Sequence, residues 1–373
     1  MLRWPSVLAW RLRRQHLTER VPPERAMTVV EDVCCLHAQV ASSAELTLWA
    51  RVEDLPRGWV EQAVERRELV KTWAMRGTLH LLPAEEAATW IGAQGARPAR
   101  WDKPAWRRGF GVTEDEVDGI LAAVPEALAG EPLTRAELAD AVARRLGSEH
   151  LAGKLGEGFG ALLKPSAFLG ALCFATPAGR NVRFTRPDLW IDGWEPADPE
   201  AAADSVTRRY LAAYGPATRE TYARWLGTPS AAHAGRLLAR LGDEVEETEL
   251  EGDRVWVLAA DLDPLREAEP EENVRLLPAF DAHVVAAPRD AAAVLDPALR
   301  ERVYRPQGWL SPVLLVDGRM KGVWRHEAKR GAIDVEIEPF GRLRKGARAA
   351  AEAEAERLAG FLGGDLSLSW TTP

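Results

Sequence analysis

The feature that most constrains this chain is a repeated pattern of helices followed by a hairpin. In the first copy, helices are expected over 5–19, 28–37, 43–51 and 59–67, with Val7, Leu8, Trp10 and Leu12 on the inner side of the first. Two strand-like runs come next, 69–75 and 78–82, joined by Arg76-Gly77, where glycine supplies a positive φ. In the second copy a helix over 114–128 precedes a capping box, Thr134-Arg135-Ala136-Glu137, that opens another. A helix over 151–163 comes next, then runs at 170–175 and 182–184 around the turn 177–180. The third copy begins near Ala201. Its Thr218-Arg219-Glu220-Thr221-Tyr222-Ala223 matches the Thr134 segment in Thr, Arg and Ala. A helix over 231–241 and a hairpin turning at Glu251-Gly252-Asp253 complete it. Three such units exceed chance, and helices followed by a hairpin are the layout of a winged helix.

Beyond an acidic linker at 266–273 the pattern changes. The stretches 274–281, 312–316, 322–324 and 333–337 are strand-like, and Asp317-Gly318 is a strong hairpin turn. A helix over 347–361 closes this β-rich part, and its Ala/Glu-rich stretch 349–356 reads as a solvated face. The fold class is therefore α+β. Three winged-helix units are expected at 1–112, 113–198 and 199–268, with a β-barrel-like unit at 269–373.

Composition narrows the class of protein. Of 373 residues, 46% are apolar and 28% charged, which describes a soluble globular chain. No apolar run approaches the roughly 18 residues needed to span a bilayer. The start, Met1-Leu2-Arg3-Trp4-Pro5, has no signal-peptide core, so a cytoplasmic location is expected. Cys34, Cys35 and Cys173 have neither metal-ligand nor disulfide spacing, so they are expected as reduced core residues, and no metal or cofactor is expected. A net charge of -8 argues against a protein that coats nucleic acid generally, but the basic residues are clustered. One cluster is Arg97, Arg100, Lys103, Arg107 and Arg108; another is Arg319, Lys321, Arg325, Lys329 and Arg330. Each is either an electrostatic footprint for phosphates or a solvated face.

The stretch that suggests chemistry is Cys34-Cys35-Leu36-His37-Ala38-Gln39-Val40-Ala41-Ser42-Ser43. Thr28 with Glu31, and Ser42 with Glu45, read as capping boxes. One helix then runs towards Leu36 or His37 and the next starts near Ser43, which leaves His37 and Gln39 at the junction. An imidazole and a primary amide two residues apart can hold and orient one water. The competing reading has both satisfying orphan backbone groups at a helix corner.

Five segments carry a family resemblance. They are Leu36-His37-Ala38-Gln39, Trp73-Ala74-Met75-Arg76-Gly77-Thr78-Leu79-His80-Leu81, Arg209-Tyr210-Leu211-Ala212-Ala213-Tyr214-Gly215-Pro216-Ala217, Leu277-Pro278-Ala279-Phe280-Asp281 and Pro312-Val313-Leu314-Leu315-Val316-Asp317-Gly318. Through them, over most of its length, the chain resembles the bacterial winged-helix family that includes the AlkZ and YcaQ DNA glycosylases. The resemblance implies three tandem winged helices and a small β-barrel forming a C-shaped DNA-binding channel. The family's Gln-x-Gln or Gln-x-Asp motif aligns with His37-Ala38-Gln39, a histidine variant nearer the AlkZ branch. The resemblance also implies a monofunctional DNA glycosylase, monomeric and without a cofactor, acting on double-stranded DNA. Its expected substrates are N7- or N3-alkylated purines, including bulky or crosslinked adducts, in repair or antibiotic self-resistance.

Such a base is already cationic and leaves easily. What remains is to stabilise an oxocarbenium-like sugar and hold a water on its far face. A neutral His37 accepting a hydrogen bond from that water, with Gln39 fixing its position, would suffice. Arg76, Thr78 and His80 are expected on one face of a strand, as phosphate contacts or as part of a satisfied wing. A hairpin carrying Arg319, Lys321, Arg325 and Arg330 is expected either to enter the minor groove or simply to face solvent. The alternative of a different class is a non-catalytic winged-helix regulator or lesion binder. Regulators usually carry one such unit with a ligand domain, so three copies favour the enzyme.

Overall fold

The computed structural model describes residues 1–371 except Pro98, Gly158, Phe159, Pro229 and Arg330. The chain divides into two compact units, residues 60–206 with 226–228, and residues 1–59 with 207–225 and 229–373. No helix among the described residues is long and apolar enough to cross a membrane.

In the unit built on residues 60–206, the strands Leu69–Trp73 and Leu79–Pro83 pair antiparallel. Between them the chain turns through Arg76 (φ 59°) and Gly77 (φ 71°), and the Thr78 N–H returns to the Met75 carbonyl. Positive φ at both central residues is the turn whose twist matches that of the strands. The helix Arg135–Leu146 starts at Thr134, whose side chain and Glu137 cap each other as expected. Instead of one helix over 151–163 there are two, Glu149–Gly156 and Lys164–Phe168, the second with a proline in its first turn. The hairpin Cys173–Ala178 with Asn181–Thr185 follows, and its Phe174 and Phe184 share a core with Leu151, Leu155 and Ala167. Trp73 sits in this core with its ring edge-on to Phe174 at 4.9 Å, beside Leu138, Val142, Leu151 and Phe184.

The other unit contains the helices Trp4–Arg14, Ala26–Asp32 and Ala41–Trp49. Val7, Leu8 and Leu12 are buried, while Trp10 lies at the margin. Its hairpin, Val245–Leu250 with Asp253–Leu258, turns at Glu251 and Gly252, both at positive φ. Leu2, Val7, Leu250, Val257 and Leu265 form the core beneath it.

The C-terminal strands form one five-stranded sheet, in the order Asp365–Trp370, Ala332–Pro339, Arg319–Lys329, Val313–Val316, Val274–Leu277. This corrects the barrel-like expectation: the sheet is open. The edge strands Asp365–Trp370 and Val274–Leu277 do not pair with each other, and the helix Lys345–Leu362 packs across both instead. Asp365–Trp370 was not anticipated. It runs parallel to Ala332–Pro339, and its alternating Leu366, Leu368 and Trp370 were the available signal. The 349–356 stretch is not wholly solvated either. Glu354 is buried, and both its oxygens accept from Arg20 Nη2, at 2.6 and 2.7 Å.

Candidate active site and nucleic-acid interface

The first helix of the candidate motif ends sooner than its sequence suggests. Ala26–Asp32 gives way to Cys34 (φ 58°) and Cys35 (φ 76°), whose N–H groups return to the carbonyls of Glu31 and Val30. The chain is then extended at Leu36–His37 before the helix Ala41–Trp49 begins. Neither expected capping box forms, because the residues before these helices, Arg25 and Val40, have no side-chain cap. Glu45 is engaged elsewhere, accepting from the backbone N–H groups of Gly58 (2.8 Å) and Trp59 (3.1 Å). A tertiary partner outcompeted the local one.

The Arg209–Ala217 segment braces this helix end. Tyr214 Oη donates to the Val33 carbonyl, and burial pushes its phenol pKa well up. The segment is in turn pinned by Arg11, which donates to the Pro216 carbonyl at 2.8 Å, and by Gln15 Nε2, which donates to the Ala213 carbonyl at 3.0 Å.

His37 and Gln39 have different surroundings. His37 is 6% exposed, whereas Gln39 lies in solvent. The His37 imidazole stacks on Phe280 with centroids 4.8 Å apart and planes 5° apart, and Phe280 meets Trp309 edge-on at 5.1 Å. Phe280 itself has φ 58°. Its successor, Asp281, holds Arg51 through two 2.8 Å hydrogen bonds, with both side chains fully buried. Asp281 also accepts from the His283 N–H at 2.9 Å, and Arg51 donates to the Thr47 carbonyl at 2.8 Å. These bonds fix the Phe280 turn to the helix after the motif. Left-handed backbone at a non-glycine residue costs of order 1 kcal/mol or more. Cys34, Cys35 and Phe280 all adopt it around one imidazole, so the surroundings over-determine this backbone.

The Gln39 N–H points at His37 Nδ1 from 3.5 Å, a long and weak contact. A ring whose Nδ1 accepts carries its proton on Nε2.

The first hairpin corrects a second expectation. Arg76 lies in the turn, Thr78 just precedes the strand, and only His80 is within it. The three do not share one strand face, because the turn claims Arg76 and Gly77. They form a local chain instead. Thr78 Oγ1 donates to the Met75 carbonyl, His80 Nδ1 donates to the Thr78 carbonyl at 2.9 Å, and Arg76 Nη2 lies 3.5 Å from His80 Nε2.

The basic hairpin is anchored at its turn. The Asp317-Gly318 turn is not free: a Cβ on Gly318 would sit 2.9 Å from the Leu8 Cβ. Asp317 accepts from the Asn273 N–H and from Arg344. Arg319 is exposed and donates to the Ala292 carbonyl at 3.2 Å. Lys321 is partly buried, and desolvation together with the nearby Arg319 lowers its ammonium pKa. Arg325 pairs with Glu336 at 2.5 Å, and Lys329 with Glu327 at 2.7 Å and Asp334 at 3.3 Å. Cations on this hairpin are therefore partly met by carboxylates. Arg330 lies outside the described residues. Reasoning from the sequence assigned no role to Phe280, Trp309, Tyr214 or the Arg51–Asp281 pair, although three of these residues lie in the segments that carry the family resemblance.

Known proteins resolve the class: this is a DNA-repair enzyme of mixed α+β fold, a hydrolase of N-glycosyl bonds. Residues 30–361 match the family described as DNA glycosylase AlkZ-like, and the chain belongs to that family. The interstrand DNA cross-link repair glycosylase of Streptomyces sahachiroi is 38% identical over 325 residues, 86% of this chain and 87% of that protein. The solved structure of Streptomyces sahachiroi DNA glycosylase AlkZ matches with a TM-score of 0.89 and 36% identity, covering 99% of each chain.

Proposed function

We propose that this glycosylase releases N7- or N3-alkylated purines from double-stranded DNA, with His37 and Gln39 as its catalytic pair. The observation that carries this reading is the locked setting of His37, stacked on the left-handed Phe280 and following the left-handed Cys34 and Cys35 in the chain. Cross-link repair appears in the description of the Streptomyces sahachiroi relative, so the proposed substrates extend to bulky and crosslinked adducts. The helix-and-hairpin repeats at 1–112, 113–198 and 199–268 serve as winged helices on the duplex. Arg319, Lys321 and Arg325 contact its phosphates, as do Arg76, Thr78 and His80.

The chemistry asks for little acid help, since an alkylated purine departs as a neutral base. The exposed Gln39 carboxamide oxygen accepts a hydrogen bond from the attacking water and turns a lone pair towards the anomeric carbon, and the proton that water loses as the C–O bond forms passes to solvent. The tautomer with Nδ1 accepting makes His37 Nε2 a donor. In that tautomer Nε2–H donates to the water's oxygen while the Gln39 oxygen accepts a hydrogen bond from the same water. A protonated ring would lose the Gln39 N–H contact and place positive charge beside a developing oxocarbenium ion.

The test is single-turnover release of free base from a duplex containing N7-methylguanine. Wild type releases it, and Gln39→Ala slows release by roughly 10- to 1000-fold, the range for losing one positioning or electrostatic contact. A Gln39→Ala variant at the wild-type rate, or a wild type that releases no base from any alkylated duplex, would sink the proposal.

A further inference from the structure

A second site lies wholly within the unit built on residues 60–206. It is a pocket of about 170 Å³ whose lining includes Arg76, Arg97, Arg100, Lys164, Trp101 and Trp106. No carboxylate lines it among the described residues. Small-molecule pockets hold roughly 300–1,000 Å³, so this one has room for a single group.

Its cations are assembled by neutral acceptors. Arg97 donates to Gln94 Oε1 and, at 2.7 Å, to the Gly227 carbonyl, which also accepts from Arg100 at 3.2 Å. One carbonyl thus gathers two guanidinium groups. Gly227 must be glycine here, since its φ is +78° and a Cβ would sit 2.5 Å from the Arg76 Cα. Desolvation, then the Arg100 charge, lowers the Arg97 pKa to about 10, so it stays cationic at neutral pH. Lys164 lies over Gly77, its Nζ 4.0 Å from where a Cβ would be, and burial lowers its pKa too. Holding like charges together without an acid costs energy unless an anion completes the site.

The rest of the wall is aromatic. Trp101 stacks towards Phe168 with centroids 6.2 Å apart, and Trp106 lies 4.6 Å from Phe110. The helix Pro104–Phe110 that presents Trp106 has no buried residue. Its rings therefore leave apolar surface open to the pocket.

A ring surface beside Arg97, Arg100 and Lys164, with no carboxylate among the described lining residues and space for one ring, matches a nucleotide. Bases inside a duplex have both faces covered by their neighbours, so only an unstacked base can use such a wall. We propose that this pocket takes an unstacked base of the DNA substrate against Trp106 and Trp101, with its phosphate on Lys164, Arg97 and Arg100. The inference rests on the chain acting on DNA and is independent of which residues are catalytic.

The test uses undamaged oligonucleotides: a duplex with one extrahelical adenine and the same duplex fully paired, compared by fluorescence anisotropy. Wild type binds the bulged duplex about 5- to 100-fold more tightly, the range for stacking one base. Trp106→Leu, which keeps apolar bulk without the ring, loses that preference and binds the paired duplex within about twofold of wild type. Lys164→Gln weakens binding to the bulged duplex and lowers its salt slope by about one. Equal wild-type affinity for the two duplexes, or a folded Trp106→Leu that keeps the preference, overturns the proposal. So does deoxyadenosine monophosphate displacing the protein as effectively as the bulged duplex, which would assign the pocket to a free nucleotide. Both duplexes are undamaged and no base release is read, so a failure here is distinct from a failure of the catalytic reading.

Discussion

The His37 imidazole and the Phe280 ring lie face to face, 4.8 Å apart and 5° from parallel. Neither backbone is relaxed: Phe280 is left-handed, and the two residues that precede Leu36-His37 are left-handed as well. A side chain held this way loses little rotational freedom when substrate arrives, which is what positional catalysis requires.

Removing the stacked face therefore tests whether it positions the ring. Phe280→Leu should slow single-turnover base release by about tenfold while the protein stays folded, and Phe280→Tyr should keep the rate. Equal rates in wild type and Phe280→Leu would reduce the stack to packing.

Protonation offers a second handle on His37. A doubly protonated ring cannot accept the Gln39 N–H, so wild-type base release should fall on acidification. In His37→Gln the amide does not titrate. The ratio of variant to wild-type rate should rise as pH falls, and using the ratio cancels any loss shared by both proteins. A flat ratio would remove His37 ionisation from the mechanism.

The Arg51–Asp281 pair carries the third prediction. Asp281→Asn leaves a guanidinium charge at a fully buried site and should cost about 3–5 kcal/mol in a urea melt. Replacing both residues by apolar ones, Arg51→Met with Asp281→Leu, should recover much of that stability. Activity should not return with it, because the two bonds that fix Phe280 relative to the helix Ala41–Trp49 are gone.

His283 sets a pH dependence of stability. It is fully buried, with Nδ1 donating to Gln15 Oε1 at 3.1 Å, and desolvation lowers its pKa from 6.5 to about 4 despite the neighbouring Asp281. Between these values the unfolded chain binds a proton that the native protein does not, so stability rises with pH there. Falling from above pH 6.5 to about pH 4 should cost on the order of 3 kcal/mol from this group. Chemical denaturation across that window checks it, and His283→Asn should flatten the slope.

For the basic hairpin, Arg319→Ala with Lys321→Ala should weaken binding to damaged and undamaged duplex alike. The salt slope should fall by about one to two. An unchanged slope would place the phosphate contacts elsewhere.

Local signals in this sequence were read reliably where nothing distant competed with them. The turns at Arg76-Gly77, Glu251-Gly252 and Asp317-Gly318 formed as expected, because positive φ is a property of the few residues involved. The Thr134–Glu137 capping box formed for the same reason. Thr28 with Glu31 and Ser42 with Glu45 carried the same pattern and did not cap, since Glu45 found Gly58 and Trp59 instead. The sequence alone thus determined the hairpins, the family and the position of the His37-Ala38-Gln39 motif. Tertiary structure alone decided that His37 is buried on Phe280 while Gln39 faces solvent, and that Arg51 belongs to Asp281 and Arg20 to Glu354. Those partners stand more than two hundred residues apart in the chain, and Arg97 reaches across 130 residues to Gly227. Helix and strand periodicity encode which face of an element is apolar. They do not encode which distant charge or ring will meet it, because that is set only when the faces pack and water is excluded.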